Sequence, residues 1–206
     1  LRKALPLSNS VPTAFAVVFD TLINVRNSVL ALSARYHLML GNYDSAFAKA
    51  SQVDLTKKSA YFYNTTNQNP LYRSAFTNAN GYLPKNNFGL TDSLLPNPND
   101  KRNQFYIPPP NTTSNIGFGK NDNDLIPLYL PGEMLLIMAE YYARKNDFVN
   151  SKIYLDKVLT KTAAMDIFKV GAGLPAYSGA MEQKALLLEI YKSRCIELFM
   201  SGLKLD

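Results

Sequence analysis

A chain with one cysteine, one histidine and no tryptophan has little from which to build metal or redox chemistry. Structural zinc, iron–sulfur clusters and disulfide frameworks each need several thiols or imidazoles converging on one point, so all three are excluded. Long apolar runs are missing too. The longest, Ala14 to Phe19 and Met134 to Ala139, fall well short of the ~20 residues a membrane-spanning helix requires. Nor is charge of one sign concentrated anywhere. The net charge is +6, yet residues 1–58 hold 7 basic and 3 acidic groups, residues 59–131 hold 5 and 4, and residues 132–206 hold 10 and 9. Basic residues interleaved with acids form solvated helix faces, not the convergent cationic surface that phosphates need, so no nucleic-acid partner is expected. No charged-then-apolar leader opens the chain at Leu1, so a targeting signal is expected to be absent or already removed.

What is present is an apolar, aromatic, globular composition. Hydrophobic residues make up 47% of 206, and 13 Tyr with 11 Phe bring the aromatics to 12%, too much buried-type surface for a disordered chain. Its distribution divides the chain into three regions. Residues 1–58 read as helical after the turn signals Pro6, Ser8, Asn9, Ser10 and Pro12. Val25, Val29, Leu32, Tyr36 and Leu40 recur at spacings of three and four, which predicts one apolar helix face, and Gly41-Asn42 stops that helix. Tyr43, Phe47, Ala50 and Val53 then make a second amphipathic helix, completing a helical hairpin.

Residues 59–131 hold nine of the twelve prolines, Pro108-Pro109-Pro110 among them, and many asparagines. Proline removes backbone donors and asparagine favours turns, so this region reads as loops with short elements at most. From 132 to 206 the pattern is helical again. Met134, Leu135, Met138, Tyr141 and Tyr142 give a first apolar face that ends at Asn146-Asp147. A second helix carries Ile153, Leu155, Val158 and Leu159, and a last one Leu188, Tyr191, Cys195 and Leu198.

Shifting the chain by 105 residues places Ala34 on Ala139, Tyr36 on Tyr141, Gly41 on Asn146, Tyr43 on Phe148 and Val53 on Val158. A small residue on the first helix, a turn, and an aromatic opening the second helix is the packing pattern of tetratricopeptide-type hairpins. The copies are separated by the loop region, so a regular stack of neighbouring repeats is not expected. The expected fold class is mainly α: tetratricopeptide-like helical hairpins with a long irregular, loop-rich insertion.

Three segments also carry a family resemblance. Ala4-Leu5-Pro6 followed by residues 28–46 forms the first. Glu133-Met134-Leu135-Leu136-Ile137-Met138-Ala139-Glu140 reads as E-x-x-L-x-x-A-E. Residues 190–204, Ile190 through Arg194, Glu197, Leu198 and Gly202 to Lys204, are similar to I-x-x-E-R-x-x-E-L-x-x-E-G-x-R. In these segments the chain resembles the SusD/RagB-type glycan-binding lipoproteins of the bacterial outer membrane. Ser193 and Ser201 stand where that family usually has Glu, Lys204 where it has Arg, and Leu130 where an Arg precedes Glu133, which marks a divergent member. Such proteins are longer than this chain, so the resemblance implies a middle-to-late portion of one, forming a single α domain across 1–206. It further implies a non-catalytic, cell-surface receptor that binds polysaccharide or oligosaccharide and passes it to a TonB-dependent transporter. The receptor would meet the membrane only through a lipid anchor outside this chain.

Arg194 and Glu197, three apart on one helix, have the spacing of an ion pair, unless each reaches another helix. Glu133 and Glu140 share a helix face, but glycoside hydrolysis needs a second carboxylate across a cleft, so no catalytic pair is assigned. Asp122, Asn123 and Asp124 lack the glycine and glutamate of a calcium loop, so no metal is expected. No cofactor is expected either: Gly171-Ala172-Gly173 lacks the lysine and third glycine of the phosphate-binding fingerprints. His37 and Cys195 read as packing residues. Asn64-Thr65-Thr66 and Asn111-Thr112-Thr113 fit the glycosylation pattern, which in an Asn-rich loop reads as coincidence.

The loop aromatics are the sharper lead. Sugar rings present flat C–H faces to aromatic side chains, while Asn, Asp and Arg bond the hydroxyls. Tyr72 with Arg73, Tyr82 near Asn80, and Phe105-Tyr106 near Arg102 and Asn103 are therefore the candidate ligand-binding residues. Against them stands the tendency of Tyr and Phe to pin long loops onto a helical body. A tetratricopeptide-like scaffold gripping a peptide or helix is the alternative function.

Overall fold

Asn24 starts the first long helix of the described residues by accepting the Asn27 amide on its side chain at 3.0 Å. The helix, α1, runs Val25–Met39, and Gly41, at φ +72°, turns the chain into α2, Tyr43–Ala50. These belong to a computed structural model that describes Pro6 and residues 22–76, 84–108 and 117–204. Ala4-Leu5, the turn residues 8–12, Asn80, Tyr82, Pro109-Pro110 and Asn111-Thr112-Thr113 lie outside the described residues.

The loop-rich stretch that follows carries little regular structure. β1 (Ala60–Tyr61) pairs antiparallel with β2 (Ile126–Pro127), Ala60 opposite Pro127 and Tyr61 opposite Ile126. Between them lie a wide turn at Tyr72–Phe76 and the short helix α3, Arg102–Tyr106. The chain then returns to long helices. Pro131, whose missing N–H costs nothing in a first turn, opens α4 (Pro131–Arg144); α5 (Phe148–Leu159) and α6 (Gln183–Glu197) follow. The molecule is thus mainly helical, with packed helix pairs and loop-rich stretches.

The two helix pairs obey the 105-residue offset in their turns. Asn146, the counterpart of Gly41, also has a positive φ, +61°, and Asp147 caps α5 from the position Asn42 holds before α2. Ala34 and Ala139 are both fully buried.

α4 is the central helix. It packs on α1, α2, α5 and α6, and every residue from Pro131 to Glu140 is buried. Around it Leu30, Ala31 and Ala34 of α1, Leu155 and Val158 of α5, and Leu186 and Ile190 of α6 form the main core. Each large aliphatic side chain buried there stabilises the fold by about 1.5–3 kcal/mol. A second core joins the loops to the end of α6 through Phe88, Tyr106, Phe118, Phe168, Ile196 and Leu198.

One expected face is misplaced. The α1 stripe ending in Tyr36 and Leu40 leaves those residues 46% and 72% exposed, and on α6 Leu188 and Tyr191 are also exposed. Asn27 and Arg35 turn inward instead. Asn27 Nδ2 donates to the Asp54 carbonyl and to Tyr129 Oη, both at 2.9 Å, and Arg35 pairs with Glu133 at 2.6 Å. A polar side chain with a complete set of buried partners can occupy a core position that periodicity reserves for an apolar one.

Candidate ligand-binding site

The loop region builds its surface on one buried amide. Asn69 Oδ1 accepts from the Leu71 and Tyr72 amides at 2.8 and 3.1 Å. Its Nδ2 donates to the carbonyls of Phe118 and Asp124 at 2.8 and 2.9 Å. That side chain, with the Asn69 amide donating to the Asp122 carbonyl at 3.1 Å, ties residues 69–73 to the loop 117–125. Gly119 allows the approach, since a Cβ there would stand 3.0 Å from Leu71 Cβ.

Tyr72 and Arg73 follow Asn69 closely in the chain. The Arg73 guanidinium lies 5.6 Å from the Tyr72 ring and forks onto the Asp122 carboxylate at 2.7 and 2.6 Å. Asp122 therefore spends its charge on arginine, and Asp124 accepts the Asn121 amide at 2.9 Å, closing the acidic turn on itself. Asn64 likewise caps its own turn, accepting from the amides of Thr66 and Asn67.

The loop from Gly117 to Leu125 also lines an open pocket of about 210 Å³. Half-buried Phe105 lines it together with the small parts of Phe118 and Phe168 that reach the surface, 6% and 8% exposed, and with Lys58, Lys120, Lys169 and Asp124. The rings meet edge to face, Phe105 to Phe118 at 5.4 Å and Phe118 to Phe168 at 6.4 Å, which fixes them as a rigid apolar lining.

Two of the candidate residues are not on this surface. Arg102 and Tyr106 are each 1% exposed, so neither side chain can reach a ligand. The cause is a buried ion network. Arg102 binds Asp100 at 2.7 Å and Glu197 at 3.1 Å, while Lys161 Nζ binds Glu197 at 2.7 Å and Asp166 at 2.6 Å. Burial alone would lower the Lys161 pKa, but Glu197 and Asp166 outweigh it and hold the ammonium above its ordinary value. Tyr106 donates its hydroxyl to the Glu197 carbonyl at 2.8 Å, and burial pushes that phenol far up. Asn103 is half-buried, its Nδ2 on the Asn97 carbonyl at 2.9 Å. Of the candidates, the structure thus brings Tyr72 and Arg73 together at the surface and draws Arg102 and Tyr106 inside; Tyr82 lies outside the described residues.

Sequence reasoning passed over Phe118, Phe168 and the three lysines of the pocket. Phe168 and Lys169 sit a full region away along the chain, and only the fold brings them to Phe105. Tyr61 and Phe62, 51% and 45% exposed beside β1, were also missed. No alternation marks them, since Ser59 and Ala60 are both buried and Tyr61 and Phe62 both exposed.

A second cavity, about 310 Å³, opens between α1, α4 and α6. Arg35, Glu133, Glu140, Arg144 and Arg194 line it with Tyr191. Arg194 does not pair with Glu197; it crosses to Glu140 at 2.6 Å, and Arg144 reaches the same carboxylate at 2.7 Å. Burial raises the Glu133 pKa, and Arg35 only partly offsets it; for Glu140 burial also acts upward, but Arg194 and Arg144 outweigh it and hold the group low. Cys195 is buried at the cavity wall. Gly171-Ala172-Gly173 is a close approach between two segments of the chain: a Cβ on Gly171 would lie 2.3 Å from the Thr162 carbonyl carbon. Among the described residues no group of His, Cys, Asp and Glu is arranged to hold a metal ion, and no helix is long and apolar enough to cross a membrane.

No family model, no curated protein and no solved structure matches this chain.

Proposed function

We propose that the chain is the helical body and binding face of a SusD/RagB-type receptor: a non-catalytic, cell-surface lipoprotein that captures polysaccharide or oligosaccharide and delivers it to a TonB-dependent transporter of the outer membrane. The observation that carries the reading is the open, aromatic-lined pocket at Phe105, Phe118 and Phe168, and the loop that lines it also pairs, through Asp122, with Arg73 beside Tyr72. A rigid hydrocarbon lining ringed by polar groups matches the two faces of a sugar ring, and a preformed site loses little entropy when it is filled. The two helix pairs, repeated at the 105-residue offset with a left-handed turn in each, support a tetratricopeptide-like body beneath it. Reading the protein as a receptor rather than a hydrolase agrees with the pairing of both cavity carboxylates to arginine.

Titration calorimetry against a panel of oligosaccharides tests this. Tyr72→Ala with Phe105→Ala should weaken binding at least about tenfold while circular dichroism keeps its helical signal, and Phe105→Tyr should retain it. Unchanged binding in the double variant would remove this surface as the site. The complete gene should also encode an upstream lipoprotein cysteine and adjoin a transporter gene.

The cavity between α1, α4 and α6 favours a second reading, a scaffold for a peptide. Exposed Tyr36, Met39, Leu188 and Tyr191 lie on the helices that flank it. A peptide pull-down that survives the Tyr72 and Phe105 substitutions, with no glycan bound, would select the scaffold.

A further inference from the structure

The aromatic pocket has an apolar lining but a cationic rim. Lys58 Nζ stands 5.8 Å from the centre of the Phe168 ring, and Lys120 Nζ stands 5.6 Å from that of Phe105. Lys169 closes the third side. Among the described residues Asp124 is the one carboxylate in the lining, and its Oδ2 is engaged by the Asn121 amide at 2.9 Å. The rim therefore places the ammonium groups of Lys58 and Lys169 beside Lys120 and a hydrogen-bonded carboxylate. Among the described residues no ion pair uses Lys58 or Lys169.

The backbone holds part of this arrangement in place at a cost. Lys169 has φ +65°, a conformation that disfavours any side chain with a Cβ. It persists because buried Asp166 anchors the turn from inside: its Oδ1 accepts the amides of Phe168 and Val170 at 2.8 and 3.2 Å, and its carbonyl accepts the Lys169 amide at 3.0 Å. Asp166 is itself held by Lys161 at 2.6 Å. One lining ring and one rim ammonium are thus presented together by a turn that is over-determined from the core, which is how a binding site is preorganised.

A neutral sugar offers hydroxyls, which can hydrogen-bond an ammonium group but leave its charge uncompensated. A sugar carrying a negative group uses both halves of the pocket, its ring C–H face on the phenylalanine lining and its anion on the rim. We infer that this pocket takes an anionic sugar, one bearing a carboxylate or a sulfate, in preference to a neutral one. The inference rests on the glycan-receptor reading and names the substrate class for the same site.

The test measures binding of the chain to three probes at matched length and 50 mM and 200 mM salt: a uronic-acid oligosaccharide, a sulfated one and a neutral glucan. Two triple variants separate local from overall charge. Lys58→Gln/Lys120→Gln/Lys169→Gln alters the rim; Lys49→Gln/Lys85→Gln/Lys184→Gln removes the same charge elsewhere. The expected result is that at least one acidic probe binds, at least about tenfold more tightly than the glucan. The rim variant should lose about tenfold while the control variant loses less than about twofold. Which acidic probe binds separates carboxylate from sulfate. Equal or tighter binding of the glucan overturns the anionic preference and leaves the receptor reading intact. Equal losses in the two variants assign the effect to overall charge and overturn the site. Failure of all three probes to bind overturns this inference together with the receptor reading.

Discussion

At the scale of single residues, two positions carry the sharpest expectations. Gly132 is irreplaceable because of what lies over it: a Cβ there would stand 1.9 Å from Glu197 Oε1 and 2.4 Å from its Cδ. That carboxylate cannot swing aside, since Arg102 and Lys161 hold both of its oxygens. Gly132→Ala should therefore destabilise the protein by about 2–4 kcal/mol, read as a lower midpoint in urea denaturation. A midpoint within error of the parent would mean the network rearranges freely. Glu140 offers a pH signature. Burial acts to raise its pKa, but Arg194 and Arg144 leave it below the ordinary 4.5, so its stabilising contribution is complete above that value and is lost as pH falls through the lower folded one. The stability gap between parent and Glu140→Gln should hence be flat above about pH 4.5 and shrink on further acidification. Glu133, raised by burial, acts with the opposite sign: its contribution is present below 4.5 and lost as pH rises through its folded value.

At the scale of elements, the turns decide how the helices pair. Gly41 has φ +72° with no atom within 4 Å of where a Cβ would be, so a side chain there meets backbone strain alone. Gly41→Ala should cost about 1 kcal/mol, whereas Gly41→Asn should cost only a few tenths, because asparagine tolerates this conformation. Asn146 already does so at the matching turn, with φ +61°. Thermal melts of the two variants check the order. Such turns were legible in advance, since Gly41-Asn42, Asn146-Asp147 and Pro131 announce themselves by local chemistry. The orientation of α1 was not. Its apolar stripe has good spacing, but the inward face is set by Asn27 and Arg35, whose partners Asp54, Tyr129 and Glu133 are remote in sequence. The same blindness applied to the site. Tyr72 and Arg73 could be singled out as neighbours in a loop, and the structure keeps them at the surface. Arg102 looked equally free until Asp100 and Glu197 enclosed it, and Phe168 had no sequence reason to join Phe105.

At the scale of the whole molecule, the question is what fastens an irregular, proline-rich stretch to a helical body. Edge-to-face rings supply part of the answer, with Phe88 and Tyr106 both against Phe199 just beyond α6, at 4.8 and 5.7 Å. The buried ions supply the rest. Asp100 and Arg102 come from the loop stretch, Lys161 and Asp166 from the segment after α5, and Glu197 from the end of α6, so one carboxylate ties three parts of the chain together. Replacing such a network wholesale with apolar residues need not weaken a protein, but removing one member strands the others in low dielectric. Glu197→Gln keeps the shape of the side chain and deletes its charge, leaving Arg102 and Lys161 to share Asp100 and Asp166. The expected loss is about 3–5 kcal/mol, with early proteolytic cleavage around residues 97–106 and 161–170 while the helix pairs still resist. Because Asp166 also holds the Phe168–Lys169 turn, Glu197→Gln should weaken ligand binding at the pocket without touching any residue that lines it. Simultaneous unfolding of loops and helices would show instead that the network secures the whole fold as one cooperative unit.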